Sequence, residues 1–337
     1  MTAVDKKPAA KFGTVFCKQM GLANLKGGTW GEFVVQPTQP IPLHPAAHVL
    51  HYSSSIFEGL KAYRWADGGV RIFRLERHLE RMRQSAESMC LPFPGIDMVR
   101  DAIIKVVRAV HDEIPHLPES LYIRPCLIGT APDIGAAALP SSDACLFVLV
   151  SPVGDYFAGG LRPLRLLVAD DIMRTTTQMG TVKTGGNYAA ALRLTLQARK
   201  EHAVDQVLFC PGGDVQETGA ANFMLFDDKR VLTKALDPSF LHGVTRDSLL
   251  ILARDMGYAV EERMFTVDEL LERASSTEAA LTGTAAVLSP VGELVFHGKT
   301  YQVGSGEVGP NALKLRKALT DIQGGLAEDT HGWVSKI

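Results

Sequence analysis

The first part of the chain changes from the short apolar runs of strands to the longer apolar period of helices. Runs bounded by glycine and proline predict strands at 31–35, 40–45, 48–52 and 70–73. Two helices are predicted from apolar residues at helical spacing: Leu79, Met82, Ala86 and Met89 in the first, and Val99, Ile103, Val106 and Val110 in the second. Arg81 lies beside the first apolar stripe.

The rest of the chain alternates between strands and helices, which predicts an α/β (α+β) protein. Strands are predicted at 121–125, 145–150, 165–169, 206–209 and 222–226, a strand and turn at 279–286, and helices after Lys183 through Arg199, from 241–247 to Gly257, and near 312–322. Small and flexible residues at 151–160 indicate a linker, so we place the domain boundary at Tyr156. A smaller N-terminal domain is predicted at 1–156, with 1–12 as a flexible tail, and a larger C-terminal domain at 157–337.

Composition narrows the class of protein. The 337 residues exceed the length at which a single core usually stops growing, which agrees with two domains. Because 35 Lys+Arg balance 37 Asp+Glu and no basic run occurs, nucleic acid and anionic membranes are not expected partners. The chain shows no apolar stretch of signal-peptide or membrane-span length. Five cysteines without a Cys-x-x-Cys pair fit buried free thiols, so we expect a soluble cytoplasmic protein.

Candidate chemistry begins at Lys183, which lies between glycines and directly before an apolar helical run. Glycines at 180, 185 and 186 let the backbone approach a ligand closely. A lysine held in a partly dry pocket loses its proton more readily than a surface lysine, so it can form an imine and then act as a base. A solvated loop lysine would have the same local sequence, and Lys183 alone does not decide between the two.

Two stretches suit a phosphate group. Gly243, Val244 and Thr245 come where a helix begins, so free backbone N–H groups and the positive end of the helix dipole lie there. The Thr-Gly-Thr sequence at 282–284 offers further N–H groups and a hydroxyl. Either stretch alone is also an ordinary helix cap or turn. Neither matches a P-loop, so a nucleoside triphosphate is not favoured.

Glu217 is a third candidate, because it precedes an apolar strand, where a carboxylate is costly unless it is paired. It could hold a proton on a pyridine nitrogen there, and the alternative is a surface carboxylate at a strand end. The sequence contains no H-E-x-x-H or G-x-S-x-G, and no G-x-G-x-x-G follows an early strand. The absence of these patterns argues against metal-dependent hydrolysis, a serine hydrolase and hydride transfer, and we predict no metal site.

Six groups of motifs in one order resemble those of the branched-chain amino-acid aminotransferases, members of the fold-type IV group that uses pyridoxal 5′-phosphate. They are L-H-Y at 50–52 with F-E-G-L-K-A-Y at 57–63, L-Y-I-R-P at 121–125, S-P-V-G at 151–154, Lys183 with G-G-N-Y at 185–188, E-T-G at 217–219, and G-V-T-R at 243–246. The similarity runs from about Phe12 to Trp333. It implies a two-domain fold-type IV structure with the active site in the cleft between the domains, and it favours the catalytic interpretation of Lys183.

The resemblance also implies a role for each site residue. Lys183 would be the catalytic lysine that carries the cofactor as an imine. The cofactor would also be bound by Arg81, Tyr188, Glu217, Leu241, Val244, Thr245 and Thr284. Within this set, Glu217 would pair with the ring nitrogen, Tyr188 would lie beside the phenolate oxygen, and Leu241 would pack on the ring. The substrate would contact Tyr52, Phe57, Tyr122, Arg124, Tyr156, Ala285 and Ala286.

The implied reaction is reversible transfer of the amino group of leucine, isoleucine or valine to 2-oxoglutarate, in two half-reactions on one cofactor. A D-amino-acid aminotransferase or an aminodeoxychorismate lyase on the same fold is the alternative, and a phosphate-ligand binding protein without catalysis is a rival of another class. A homodimer is expected, because relatives use Tyr52 and the 129–136 loop, which here contains apolar Ile134, across a subunit boundary.

Two positions depart from the family pattern. Ala220 stands where many relatives carry a threonine three residues after the glutamate. The sequence A-V-L-S at 286–289 stands where some animal members carry Cys-x-x-Cys, so we expect no thiol switch there.

Overall fold

The protein is described here by a computed structural model of residues 12–154 and 161–337. The chain divides into two compact units, Met1–Gly159 together with Gln323–Ile337, and Gly160–Ile322. The two units are of nearly equal length, whereas the sequence suggested a smaller and a larger domain. The predicted boundary residue Tyr156 and most of the predicted tail at 1–12 lie outside the described residues. Phe12 is described, and its ring packs edge-on against Tyr122 with centroids 4.9 Å apart.

The elements of the first unit are given in chain order. They are β1 (Gln19–Lys26), β2 (Thr29–Trp30), β3 (Val34–Pro37), α1 (His48–Tyr52), β4 (Ser55–Phe57), β5 (Leu60–Arg64), β6 (Val70–Phe73), α2 (Leu75–Ser88), α3 (Ile96–Ala109), β7 (Ser120–Gly129) and β8 (Ala144–Val153).

The second part of the chain continues the numbering. Its elements are β9 (Leu164–Ala169), α4 (Gly185–His202), β10 (Gln206–Phe209), β11 (Glu217–Thr218), β12 (Asn222–Phe226), β13 (Arg230–Thr233), α5 (Val244–Asp255), β14 (Ala259–Glu262), α6 (Val267–Arg273), β15 (Glu278–Gly283), β16 (Val287–Phe296), β17 (Lys299–Gln302), α7 (Pro310–Gly324) and β18 (Val334–Lys336).

The first unit is built on an antiparallel sheet in the order β18-β6-β5-β7-β8-β1-β2, with β3 paired to β1 and β4 to β7. Helices α2 and α3 follow the predicted apolar stripes, because Leu79, Met82 and Ala86 in α2 and Val99, Ile103 and Val106 in α3 are all buried. Helix α3 approaches β1 at Gly21, where an added Cβ would lie 2.8 Å from Val106. The absence of a side chain at Gly21 therefore allows this close packing.

The segment 48–52 is a short helix, α1, where the sequence predicted a strand. Five residues are too few for apolar spacing to separate the two periods. His48 is buried, with Nδ1 2.8 Å from Ser54 Oγ, whereas Leu50 is exposed. The predicted strand at 40–45 is irregular, and of the one at 31–35 only the last two residues are in a strand, because β3 begins at Val34.

The end of the chain belongs to the first unit, although the sequence-based division placed it in the C-terminal domain. Strand β18 pairs with β6 through Val334 and Phe73. Trp333 packs edge-on against Phe73 with ring centroids 5.8 Å apart, and the Arg74 guanidinium lies 5.0 Å from its ring centroid. Burial of this large indole accounts for the return of the chain.

The second unit contains a sheet that closes on itself. Its strand order is β11-β10-β9-β16-β15-β12-β13-β14, with β17 on β16 and a further pairing of β11 with β12. The last pairing joins Glu217 to Asn222 and completes a ring of six strands. Because β9 runs parallel to both β10 and β16, the sheet is mixed. The buried side chains Leu166, Leu208, Phe223, Leu281 and Leu294 pack together as its core.

Cysteine burial agrees only in part with the prediction of buried thiols. Cys17, Cys145 and Cys210 are buried, Cys126 is half-buried, and Cys90 is exposed. All five are free. In the described ranges, no helix combines the length and apolar character needed to cross a membrane.

Candidate active site

Lys183 lies in the second unit, two residues before the start of α4. Its Nζ donates a hydrogen bond of 2.8 Å to Tyr188 Oη, and the side chain is half-buried. Nζ lies 5.4 Å from the Tyr188 ring centroid, so the amine is next to the hydroxyl end of the ring. The amine and the phenol therefore form a close donor–acceptor pair at the start of α4.

Hydrogen bonds of the Asn187 side chain and a close backbone approach at Gly180 hold the loop that carries Lys183. The Asn187 amide donates from Nδ2 to Met179 O at 2.7 Å and to Val182 O at 2.9 Å, which ties the loop to α4. Thr175 Oγ1 donates to Asn187 Oδ1 at 2.7 Å. At Gly180, a Cβ would lie 2.2 Å from Pro238 O, so only glycine allows this close approach of two backbone segments. The glycines around Lys183 therefore allow close packing of backbone segments as well as the approach of a ligand.

Glu217 is buried on β11, with 3% of its surface exposed. Its Oε1 is 2.7 Å from Arg174 Nη2 and accepts a 3.0 Å hydrogen bond from Leu241 N–H. Its Oε2 accepts a 3.2 Å hydrogen bond from Asn222 Nδ2. A carboxylate oxygen accommodates more than one donor, so Oε2 retains capacity for a further N–H group.

Burial has the largest effect on the pKa of Glu217. It raises the pKa of this carboxyl from 4.5 to about 7, although the Arg174 charge, the Leu241 N–H and the Lys183 charge all lower it. A carboxyl that is costly to ionise in the absence of a further cation favours a positively charged partner when one enters. The environment therefore suits contact between Glu217 and a protonated ring nitrogen.

The first turn of α5 offers unpaired backbone donors next to this carboxylate. No side chain caps the helix at Gly243, and Val244 and Thr245 are its first two residues. The first N–H groups of a helix have no partner inside it, which makes this end a binding place for an anion. Asn222 connects the two regions, because its Nδ2 also donates to Leu241 O at 2.8 Å.

Thr284, Ala285 and Ala286 form the half-buried connection between β15 and β16. Arg316 Nη1 donates to Ala286 O at 2.7 Å and holds the end of this segment. Val287 follows with φ of 62°, a left-handed conformation that is strained for a β-branched residue. The connection is therefore held in one conformation by its surroundings.

Buried polar atoms without a partner occur on segments that carry the predicted site residues or contact Glu217. Thr282 stands opposite Asn222 in the β12–β15 ladder, so the two side chains share a face of the sheet. Within the described residues, Thr282 Oγ1, Thr184 Oγ1 and Arg174 Nε are buried without a hydrogen-bond partner. Buried polar groups are rarely left unpaired. With the donors of α5 and the Lys183 amine, they fit a ligand that combines an aromatic nitrogen, a carbonyl and a phosphate.

Phe57, Tyr122 and Arg124 come together in the first unit. The Arg124 guanidinium lies 4.6 Å from the Phe57 ring centroid and 5.2 Å from that of Tyr122, and Arg124 Nη2 donates to Tyr122 Oη at 2.8 Å. A cavity of about 350 Å³ has Tyr122, Arg124 and Phe16 among its lining residues. At Gly59, a Cβ would lie 2.0 Å from Tyr122 Oη, so glycine in the F-E-G motif leaves space for the phenol.

Arg81 forms a buried ion pair in the first unit. Its Nε lies 2.6 Å from Glu58 Oε1 and its Nη2 lies 2.8 Å from Oε2, while His78 Nδ1 lies 2.7 Å from the same Oε2. Burial raises the pKa of Glu58, but the charges of Arg81 and His78 outweigh this effect and hold the pKa below its usual range. The two-point contact with Glu58 fixes the direction of the guanidinium.

The remaining predicted residues are Tyr52 and Tyr156. Tyr52 ends α1, and its hydroxyl donates to the backbone oxygen of Ile134, whose side chain is 68% exposed. Tyr156 lies outside the described residues. The predicted residues thus fall into two groups, one in each unit.

Sequence reasoning did not find Arg174, Asn222, Glu58 and His78, which hold the predicted residues in place. Glu58 lies in the F-E-G motif beside Phe57, and Asn222 ends the stretch that begins with Glu217, so both were next to recognised signals. Arg174 lies 43 positions from Glu217, and no local pattern links the two. In the part of the chain that the structure describes, no group of three or more His, Cys, Asp or Glu could hold a metal ion.

Comparison with known proteins identifies the family. The model of the family "Amino-transferase class IV" matches residues 55–294. Branched-chain-amino-acid aminotransferase 2 of Bacillus subtilis is 36% identical over 97% of this chain and 92% of its own length, and the corresponding Mycolicibacterium smegmatis enzyme is 39% identical over 91% and 86%.

A solved structure agrees with these matches. The T.th. branched-chain amino acid aminotransferase, determined with pyridoxamine 5′-phosphate and with N-(5′-phosphopyridoxyl)-L-glutamate, superposes with a TM-score of 0.80 at 29% identity. The match covers 95% of this chain and 99% of that one, and it confirms the predicted fold-type IV class. The chain therefore belongs to the class IV aminotransferases, in the branch that contains the branched-chain-amino-acid aminotransferases.

Proposed function

We propose that the protein is a pyridoxal 5′-phosphate-dependent transaminase that moves the amino group of leucine, isoleucine or valine to 2-oxoglutarate, and the reverse. The observation that carries this proposal is the Lys183 amine 2.8 Å from Tyr188 Oη, in the same unit as buried Glu217 and the uncapped start of α5. The relatives named as branched-chain-amino-acid aminotransferases supply the substrate class.

Most of the proposed cofactor contacts would come from residues of the second unit. Glu217 would accept a hydrogen bond from the protonated ring nitrogen through Oε2, and Val244 and Thr245 N–H would bind the phosphate. Leu241 would pack on the ring, and Thr284 and Arg81 would add phosphate donors. When bound, pyridoxal 5′-phosphate supplies an aldehyde that takes up the amino group and a protonated ring that withdraws electrons from the substrate Cα.

Lys183 would move the proton of the reaction. Its amine, in the neutral form, would take the proton from the substrate Cα and return it on the way back. The hydrogen bond to Tyr188 Oη fixes the direction of Nζ, and the Asn187 contacts keep the loop from shifting. Because an oriented base loses little entropy in the transition state, this fixed geometry contributes directly to rate.

The Phe57–Tyr122–Arg124 group would accept two kinds of side chain. The aromatic rings would bury an aliphatic side chain, which is worth about 1.5–3 kcal/mol by transfer from water. Arg124 would pair with the side-chain carboxylate of glutamate or 2-oxoglutarate, since a guanidinium binds a carboxylate through two hydrogen bonds. Tyr52 and Tyr156 would complete the pocket, and Ala285 and Ala286 N–H would bind the substrate carboxylate.

We also propose that the protein is a homodimer in the cytoplasm. The exposed Ile134 side chain, in the loop that binds Tyr52 through its backbone, supports a contact with a second copy of the chain. A soluble metabolic enzyme with free thiols suits a reducing compartment.

Lys183→Ala tests the central assignment. The variant should keep its fold and lose several orders of magnitude of turnover with leucine and 2-oxoglutarate, as expected for loss of a covalent base. After borohydride reduction of the parent protein, peptide mass spectrometry should find the cofactor attached at Lys183. Normal turnover in the variant, or attachment at another lysine, would refute the assignment. A screen of L- and D-amino acids as donors separates this activity from D-amino-acid transamination on the same fold.

A further inference from the structure

Asn222 is a buried polar residue that the proposed chemistry does not use. It begins β12, next to the point where the sheet of the second unit closes, and 4% of its surface is exposed. Its Nδ2 donates one hydrogen to Glu217 Oε2 at 3.2 Å and the other to Leu241 O at 2.8 Å. Both hydrogens of the amide are therefore engaged, and the side chain has one orientation.

The oxygen side of the same amide lies against the start of α5. A Cβ added to Gly243 would lie 2.0 Å from Asn222 Oδ1, so the cap residue of α5 packs directly on this side chain. One side chain thus contacts the ring-nitrogen acceptor, the backbone of Leu241 and the beginning of the phosphate-binding turn.

The backbone of Asn222 is held as firmly as its side chain. It pairs with Glu217 on one side and with Thr282 on the other, in two antiparallel ladders. The amide therefore cannot move relative to Glu217 without distorting the closed sheet. Any shift of α5 relative to Glu217 must instead break the Asn222 contacts with Leu241 or Gly243, or the 3.0 Å hydrogen bond from Leu241 N–H to Glu217 Oε1.

The affinity for a ligand that is held at both ends depends on the distance between its two binding sites. When that distance is fixed in advance, binding of one end places the other at high effective concentration. When it fluctuates, each end still binds, but the gain from linking them falls.

We propose that Asn222 is a positioning residue that fixes the spacing between Glu217 and the N-terminus of α5, so that a pyridine phosphate binds through both ends at once. The inference rests on the proposed function, in which these two places bind one cofactor. It assigns to Asn222 no contact with substrate or cofactor.

Pyridoxine 5′-phosphate and inorganic phosphate separate this role from general damage. The first carries both ends and no aldehyde, so its affinity does not depend on covalent attachment to Lys183. Dissociation constants are measured on the full-length protein freed of cofactor, with Asn222→Ala, and with Asn222→Leu, which keeps the branch at Cγ and fills the space.

Both Asn222 variants should bind pyridoxine 5′-phosphate about tenfold to a hundredfold more weakly than the parent, the range for loss of a hydrogen bond to a charged group. Their affinity for inorganic phosphate should stay within about twofold, because the N–H groups of α5 remain. Asn311→Ala is the matched control, since Asn311 Nδ2 also donates twice, to Glu278 Oε1 at 2.8 Å and Asp228 Oδ1 at 3.3 Å. It should leave the affinity for both ligands at the parent value.

Unchanged affinity for pyridoxine 5′-phosphate would overturn the inference, and so would an equal loss for inorganic phosphate, which would mean that Asn222 only shapes the start of α5. Thermal unfolding without ligand shows whether each variant folds. If one variant does not fold, the affinities of the other variant decide the test. A parent protein that binds neither pyridoxine 5′-phosphate nor pyridoxal 5′-phosphate would instead refute the proposed function.

Discussion

Replacement of Glu217 by glutamine should remove a pH dependence from the stability of the cofactor-free protein. Glutamine resembles the protonated carboxyl in shape and cannot ionise. The pKa of Glu217 is raised by burial from 4.5 to about 7, so the folded protein holds this proton more tightly than the unfolded chain. The stabilisation from this group is complete below pH 4.5 and is lost as the pH rises through about 7.

The size of the effect follows from the shift. Each pKa unit corresponds to about 1.4 kcal/mol, so the change from 4.5 to about 7 corresponds to about 3 kcal/mol. Relative to Glu217→Gln, the parent protein should therefore lose about 3 kcal/mol of stability between pH 4.5 and about pH 8. In some orientations of the glutamine side chain, its amide NH₂ would face Asn222 Nδ2. This adds to the stability difference between the two proteins an offset that does not vary with pH.

Difference infrared spectroscopy measures the titration directly. The carboxylic acid band that is present in the parent and absent in Glu217→Gln should disappear with a midpoint near pH 7. Arg174→Gln should move this midpoint upward, because the Arg174 charge lowers the pKa of Glu217. A midpoint near 4.5 in the parent, or a denaturation difference between parent and Glu217→Gln that does not change with pH, would refute the reasoning.

Three further predictions concern the first unit and the assembly. Arg124→Gln should raise the KM for glutamate and 2-oxoglutarate by about tenfold and leave that for leucine nearly unchanged, and equal losses would show that Arg124 only supports the pocket. Glu58→Gln should weaken binding of pyridoxal 5′-phosphate by about tenfold and that of pyridoxal hardly at all, because it releases the two-point contact that directs Arg81. Light scattering of the active protein should give the mass of two chains, and a fully active monomer would exclude the dimer.

Apolar spacing predicted most of the elements, because long segments repeat their period several times. Helix α2 is the clearest case, since Leu79, Met82 and Ala86 of the predicted stripe are all buried in it. Apolar spacing failed at 48–52, where one turn of helix has no room for a repeat. It also did not show that the chain end joins the first unit, through Trp333 and the pairing of β18 with β6.

Local sequence pointed to candidate residues where a motif carries its own chemistry, as at Lys183 with its glycines, and the family resemblance supplied their expected roles. The site was not predictable where contacts join distant segments. The Arg174–Glu217 ion pair depends on how the loop after β9 meets β11, and the contact of Asn222 with Gly243 depends on how α5 meets β12. These contacts arise from tertiary packing, and neither leaves a local periodic signal.

A ribosome delivers β6 early and β18 last, although the two strands pair in one sheet. The Gly160–Ile322 unit is continuous in sequence and can fold as it emerges, whereas the other unit must wait for Gln323–Ile337. The unit that begins the chain is thus the last to be completed. A nascent chain stalled before Trp333 would present β6 as an uncovered edge, with N–H and C=O groups open to pairing with other nascent chains.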